Sequence, residues 1–449
     1  MCQPSDCRYC DTSFASDEAL ATHLASDHDR GELSRIDKQR VKHHNEPSAS
    51  SVRELRVEKR ISRRATLAAA AIGVTGIGGI AFSAAGSSNL TSISNWNDLD
   101  DIRDDLGDDY ILVNDLDEET EGYDAQIGDP ADGWDPINDF SGSFDGDGHS
   151  IVDLTIDRGG EDDVGLFGEN MGGTIEDIIL LDVTIHGQTR TAGISGVNNG
   201  TITDVIVTGN IDGISRVAGV SGENYGTIER VVTNTDVYAN SERVGGIVGH
   251  CEGTIQDNYT LGETAAEITE THTWLTRLGG VVGRKQGGNI ERCYVAGPVI
   301  NVLGSGSDHG ALVGRMTDSG SIIDCYWDKG TTNQDDAYGS GDGSETTSGE
   351  VGFGSTSDTE PADEMTGLEA EMNMTAFDFA SDWHPVIAEE RLNPRPDEDG
   401  YPILQAIDAG TQLDAQGVSF SIEGSIGSLN IRNSTFKNNS IGISIGDDE

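Results

Sequence analysis

A short pattern built on two glycines recurs six times between residues 165 and 322, and a chain that repeats this way folds by stacking its copies. The first three copies are Gly165-Leu-Phe-Gly-Glu-Asn-Met-Gly-Gly-Thr-Ile, Gly193-Ile-Ser-Gly-Val-Asn-Asn-Gly-Thr-Ile and Gly219-Val-Ser-Gly-Glu-Asn-Tyr-Gly-Thr-Ile. Three degraded copies start at Gly246, Gly280 and Ala311, so the start-to-start spacings are 28, 26, 27, 34 and 31 residues. Each copy is followed by a β-rich stretch, such as Ile202-Thr-Asp-Val-Ile-Val, and no stretch with a helical period intervenes. One copy cannot bury its apolar side, whereas copies stacked about 4.8 Å apart place equivalent residues in columns.

The sequence contains such columns. Four residues after each motif isoleucine stand Ile179, Ile206, Val232, Tyr259, Tyr294 and Tyr326, an aliphatic series that turns into a tyrosine series. Three residues after it stand Ile178, Val205, Val231, Asn258, Cys293 and Cys325. Cysteines on neighbouring coils fall near disulfide range, but parallel strands point both Cβ atoms the same way, so a bond and two buried thiols both stay open. The motif glycines fit tight corners that require φ > 0 or close backbone approach.

On these residues the array resembles the GLUG-motif repeat family in a haloarchaeal-type protein, over roughly residues 164 to 328. The resemblance implies a mainly β chain forming a right-handed parallel β-helix or solenoid. Upstream, Trp96 to Leu106 reads as a short helix and Tyr110-Ile-Leu-Val as a strand. Gly133-Trp-Asp-Pro-Ile and Phe140-Ser-Gly-Ser-Phe are similar to the lead-in before such arrays, which caps the first coil's open edge. Downstream, Met365, Phe377, Phe379, Trp383 and Gly400-Tyr-Pro-Ile-Leu resemble the family's closing segment.

Charge divides the chain in two. The whole sequence carries −51, from 79 acidic and 28 basic residues. Residues 1–64 hold twelve Lys/Arg and eleven Asp/Glu, while everything after residue 86 holds sixteen and sixty-eight. Such an acidic surface, with Ile, Val and Gly spread throughout, reads as a fold adapted to high salt, and it repels nucleic acid and anionic lipid. Between the two parts, Ala65 to Gly86 runs 22 residues without a charge, enough as a helix to cross a hydrocarbon core of about 30 Å. Basic residues between Arg30 and Arg64 flank it, which predicts a cytoplasmic N-terminal side and repeats outside. Ser62-Arg63-Arg64-Ala65-Thr66-Leu67 partly resembles a twin-arginine export motif, with Thr66 where a bulky apolar residue is usual. Ser83-Ala84-Ala85 offers a cleavage site, so anchor and cleaved signal are both open.

Cys7-x2-Cys10-x12-His23-x4-His28 has the ligand set and spacing of one tetrahedral, structural Zn²⁺. With Phe14 and Leu20 as its small core, this segment resembles the classical two-Cys, two-His zinc finger, a ββα unit folded by its metal. The helix positions that face bases in DNA-reading fingers are here Ser16, Ala19 and Thr22, none able to make bidentate base contacts, so a structural or protein-contact role is expected.

The resulting organisation is a zinc finger over 1–30, a basic linker over 31–64 and a transmembrane or signal segment over 65–86. A solenoid cap over 87–160, the repeat solenoid over 161–328 and a Gly/Ser/Asp-rich linker over 329–361 follow, then a closing segment over 362–408 and further β-helix-like strands over 409–449.

Signatures of chemistry are sparse. There is no His-Glu-x-x-His protease motif and no serine nucleophile elbow. Asp139, Asp145 and Asp147 in a Gly-rich loop are a weak Ca²⁺ candidate beside the plainer reading of solvated charge. Sequons at Asn89, Asn199, Asn258, Asn373, Asn433 and Asn438 lie beyond the apolar segment as candidate glycosylation sites. The expectation is a non-enzymatic surface protein acting in adhesion, envelope structure or contact with cell-surface glycans or proteins, attached to the membrane through residues 65–86. The alternative is a polysaccharide-active β-helix enzyme with an acidic groove.

Overall fold

The computed structural model describes residues 90–128, 131–266, 276–301, 308–358, 361–387, 400–405 and 407, with the backbone of 5–6 and 13–14. Its core is a parallel β-solenoid of about seven coils. Three sheets wall it. The motif wall has one strand per coil: Phe167–Asn170, Ser195–Asn198, Ser221–Asn224, Val248–Cys251, Val282–Gln286, Val313–Thr317 and Tyr338–Ser340. The long wall contains 19 strands, among them the bent Thr201–Gly213 and Thr227–Ala239. The short wall has five: Thr189–Ala192, Ser215–Ala218, Val244–Gly245, Arg277–Gly279 and Asp308–Gly310.

The sequence columns are structural columns. Ile175, Ile202, Ile228, Ile255, Ile290 and Ile322 pair in parallel register from coil to coil, all fully buried in the interior. The motif's first glycine forms a rung, with the N–H of Gly193, Gly219, Gly246 and Gly280 each donating to the carbonyl of its counterpart one coil on, at 2.9–3.1 Å. The second glycine is needed for close approach. A Cβ at Gly222 would lie 2.5 Å from the Cα of Arg190, and one at Gly249 would lie 2.7 Å from the Cα of Arg216.

Residues one apart in a strand face opposite ways, and this splits the two apolar columns. Ile178, Val205, Val231, Cys293 and Cys325 belong to the interior cluster. Ile179, Ile206, Val232, Tyr259, Tyr294 and Tyr326 form a second cluster on the other face of the long wall, with Met365, Phe377, Phe379, Trp383, Tyr401 and Leu404 packed over them. Tyr259 and Tyr294 stack at 4.7 Å, and the Tyr294 hydroxyl donates to the Pro402 carbonyl at 2.8 Å. The closing segment therefore covers an outward aromatic stripe that water would otherwise reach.

Two segments differ from their sequence reading. Residues 87–160 do more than cap. Leu90–Ile93, Asp109–Leu112 and Ser143–Asp145 pair in succession and then with Thr174–Glu176, all parallel, so the long wall begins well before the first motif. The expected helix is Trp96–Asp100, capped by Asn95, whose side chain accepts from the N–H of Asn97 and Asp98, and a 3₁₀ turn continues it. Residues 329–361, read as a linker, carry a further coil. Tyr338–Ser340, Thr346–Ser348 and Val351–Phe353 pair with the coil before them. Their Gly, Ser and Thr content reports how little they bury, whereas the parallel ladder is made by backbone groups that composition does not reveal.

Candidate contact surface on the solenoid corners

The zinc ligands Cys7, Cys10, His23 and His28 lie outside the described residues. Around the first two, Ser5–Asp6 pairs antiparallel with Ser13–Phe14. The apolar segment 65–86 and the tail 409–449 also lie outside them. Among the described residues no helix is long and apolar enough to cross a membrane, and no group of three metal-ligating side chains comes together. Asp145 Oδ1 accepts from the Asp147 N–H at 2.8 Å, closing a local turn.

One expected glycosylation site is corrected. Asn258 is fully buried, accepting from the Val231 N–H at 2.6 Å and donating to the Ile228 carbonyl at 3.2 Å, so the folded solenoid cannot present it to a transferase. Asn199 is exposed, and Asn89, Asn433 and Asn438 lie outside the described residues. Cys293 and Cys325 are free buried thiols. Each Sγ donates to the carbonyl two residues before it, Glu291 and Ile323, at 3.3 Å.

Inside the motif wall, the asparagines that end its first three strands form a ladder. Asn170 Nδ2 donates to Asn198 Oδ1 and Asn198 Nδ2 to Asn224 Oδ1, both at 2.8 Å and both buried. Each also closes its own corner through a glycine carbonyl two or three residues on. In the next coils the same column holds Cys251 and then Lys285, wholly buried, whose Nζ sits 3.3 Å from Cys251 Sγ and donates to the Gly253 carbonyl.

Charge concentrates on two outer corners, where the backbone repeatedly enters the left-handed region. Along the long wall the corner residues are Asp177, Asp204, Arg230, Asp257, Arg292 and Asp324, with φ between 48° and 57°. Opposite charges meet there. Arg230 holds Asp204 through Nε at 2.7 Å and Nη2 at 2.9 Å, and Arg292 holds Asp257 through the same two nitrogens, each at 2.7 Å. These hydrogen bonds, outweighing desolvation, push both arginine pKa values above their ordinary value.

The corner between the short wall and the motif wall is different. Its column reads Asp163, Arg190, Arg216, Arg243, Arg277 and Asp308, four arginines on four successive coils. Beside it, the outward column of the motif wall reads Glu169, Val197, Glu223, His250, Arg284 and Arg315. Six of the thirteen arginines that follow the apolar segment stand at this corner.

Its carboxylates do not suffice. Arg190 is held by Asp163, with Nη2 to Oδ2 at 2.8 Å. Arg216 Nε lies 3.0 Å from Glu223 Oε1, close enough for an ion pair but not aligned for a hydrogen bond. Arg243 and Arg277 share Glu242, and Arg315 reaches Asp308 at 3.5 Å. Arg284 has no ion pair among the described residues, and the buried Nε atoms of Arg216, Arg243, Arg277 and Arg284 have no hydrogen-bond partner there. Burial first, and then neighbouring arginines, lower the pKa of Arg243 and Arg284. His250, 4% exposed and with an unpartnered Nδ1, is held down to about 3 by burial and by Arg243, Arg284, Arg216 and Lys285.

Both columns were legible at fixed offsets. Arg190, Arg216, Arg243 and Arg277 each stand three residues before a motif glycine, and His250 and Arg284 stand four residues after one. The spacing alone does not show that a corner brings the two offsets side by side. Among the described carboxylates, burial and then Asp163 and Asp139 raise the pKa of Glu169, at the start of the outward column. Buried Asp328, beside a hollow lined by Asp358, Asp363 and Glu364, is saturated by the N–H groups of Gly330, Thr331 and Ala362 and the Tyr401 hydroxyl.

No family model matches the chain. A solved structure from Bacteroides ovatus, described as "a putative immunoglobulin A1 protease", has 18% identity and a TM-score of 0.47, over 72% of this chain and 94% of that one. The chain is also similar to halomucin of Haloquadratum walsbyi, with 29% identity over 293 residues; the match takes in 62% of this chain and only 3% of that very long relative.

Proposed function

We propose that the chain is an acidic, salt-adapted, cell-surface or exported solenoid of GLUG type that makes extended, non-enzymatic contacts, with a structural zinc finger on the other side of the apolar segment. The observation that carries this reading is the lateral surface of about seven stacked coils, a linear array of repeated side chains with its carboxylates engaged structurally where they are buried. The likeness to halomucin supports it, and so does the step from a basic flank before residue 65 to a balance of −52 after residue 86.

In this reading Cys7, Cys10, His23 and His28 hold one zinc ion, and the paired strands on either side of the two cysteines suit the hairpin of such a finger. Protease added to intact cells is expected to digest the solenoid and spare the finger, and replacing Arg63 and Arg64 by Lys is expected to block export. Full protection of the repeats in the cytoplasm would overturn the surface reading. Incubating the protein with acidic and neutral polysaccharides is expected to yield no new reducing ends or unsaturated products. Their appearance would establish the polysaccharide-active alternative. Zinc measured on the full chain is expected at one equivalent, lost in His28→Ala.

A further inference from the structure

We propose that the arginine corner is a binding site for an oxyanion-bearing polysaccharide, its sulfate or carboxylate groups held in a row along the solenoid by Arg216, Arg243, Arg277 and Arg284. The proposal rests on the surface reading only for where the polymer is met; the binding itself stands on the geometry.

Three features point to an oxyanion. First, a chain with 79 acidic and 28 basic residues has gathered six arginines at one corner, against its overall charge. Random placement of scarce cations among many acids would pair them, as Arg230 and Arg292 are paired with Asp204 and Asp257. Second, the donors are incomplete. Arg284 meets no carboxylate among the described residues and Arg243 and Arg277 share one, Glu242, so guanidinium nitrogens are left over for an incoming acceptor. Third, the backbone that carries these side chains is fixed. The corner residues Arg216 and Arg243 sit at φ of 57° and 67°, with the glycines of the motif wall pressed against their backbones, so successive guanidinium groups start from equivalent places on successive coils.

The arrangement also selects a polymer over a single ion. Arg190 to Arg277 occupy four consecutive coils, so the row is about 14 Å long at the inter-strand spacing. A linear chain carrying repeated oxyanions fills such a row in several places at once, and its second and third contacts form at high effective concentration. Guanidinium groups suit this task because their fork matches the two oxygens of a carboxylate or sulfate. In molar salt the Debye length falls to about 3 Å, so attraction at a distance vanishes and direct, aligned contacts of this kind are what remain.

The test measures binding of the purified full chain, in molar potassium chloride, to dextran sulfate, polyguluronate, neutral dextran and free sodium sulfate. Saturable binding to one or both charged polymers, with neutral dextran and free sulfate at least 100-fold weaker, is expected. Arg284→Gln should weaken polymer binding about tenfold and Arg277→Gln with Arg284→Gln should abolish it. Arg284→Lys, which keeps charge but loses the fork, should recover only part. Arg292→Gln, in the paired column, should leave it unchanged, with circular dichroism confirming that each variant is folded. Equal binding of neutral and charged dextran, equal loss in Arg292→Gln and Arg284→Gln, or a concentration-dependent dimer that masks the corner would each overturn the proposal, the last assigning the row to the acidic surface of a second copy. A cytoplasmic location with intact polymer binding would overturn the surface reading alone.

Discussion

Two corners of one solenoid carry arginines on the same kind of backbone position, and they use them in opposite ways. Along the long wall, Arg230 and Arg292 alternate with Asp204, Asp257 and Asp324, so each guanidinium finds a carboxylate on the coil before it. Between the short and motif walls, Arg190, Arg216, Arg243 and Arg277 follow one another without alternation. Coil spacing and left-handed corner geometry are shared, so the difference lies in the residues chosen. Alternation gives closed pairs that hold coil to coil, and succession leaves donors over. The first column behaves as structure and the second as a surface built to be completed by something else.

The closed pairs should carry the larger stability. Asp204 is 5% exposed and accepts two hydrogen bonds from Arg230. Asp204→Ala leaves a guanidinium on a half-buried corner without its partner and should lower unfolding free energy by about 3 kcal/mol. Arg243→Met should change stability by less than about 1 kcal/mol, because it removes a charge that its neighbours already oppose. Denaturant titration of both variants checks the contrast, and equal losses would show that the two corners do not differ in kind.

A pH titration examines the surplus charge from another side. His250 has its pKa lowered from the ordinary 6.5 to about 3 by burial and the nearby cations. Its folded pKa lies below its unfolded one, so the unfolded chain binds the extra proton between those values. Stability is therefore full above about pH 6.5 and falls as pH drops toward 3. This residue alone should cost about 2 to 3 kcal/mol between pH 7 and pH 4.5. His250→Gln should flatten that part of the profile while the carboxylate contribution remains. An unchanged slope would mean that the ring is charged and paired in the fold.

How much of this was legible follows from what repeats can encode. The stack, its register and its two apolar columns could be read because Ile175 to Ile322 and their neighbours recur at one offset, and parallel pairing preserves offset. The burial of Asn258 follows from its place in the column of Val205 and Val231, which a sequon read by itself does not carry. The coil over residues 329–361 resembles a linker in sequence because its few apolar residues give no period, and its backbone pairing leaves no trace in composition. The arginine corner is hidden in the sequence for a third reason. Its columns lie at offsets of minus three and plus four, and only the turn between walls makes them neighbours.

A charge reversal at one arginine gives the sharpest test of the comparison. Arg243→Asp would turn the arginine succession into an alternation by a single change, placing a carboxylate between Arg216 and Arg277. Asp tolerates the left-handed conformation, and the chain already uses it at φ of 57° in Asp204 and 61° in Asp163, so the backbone at 243, with φ of 67°, need not move. Two repulsive neighbours become attractive ones, set against the loss of the 3.6 Å contact with Glu242, and partly exposed pairs of this kind contribute about 0.2–1 kcal/mol each, less in molar salt. A gain of about 1 kcal/mol should raise the melting temperature by about 2–4 °C. The same variant should raise the His250 pKa, since one of the cations around it becomes an anion, and should weaken binding of the charged polymers at least tenfold. Stability and binding moving in opposite directions is the outcome that separates a corner left open for a ligand from one that is merely poorly paired. Were Arg243→Asp both less stable and unchanged in binding, the four successive arginines would have to be read as structural, like their counterparts on the long wall.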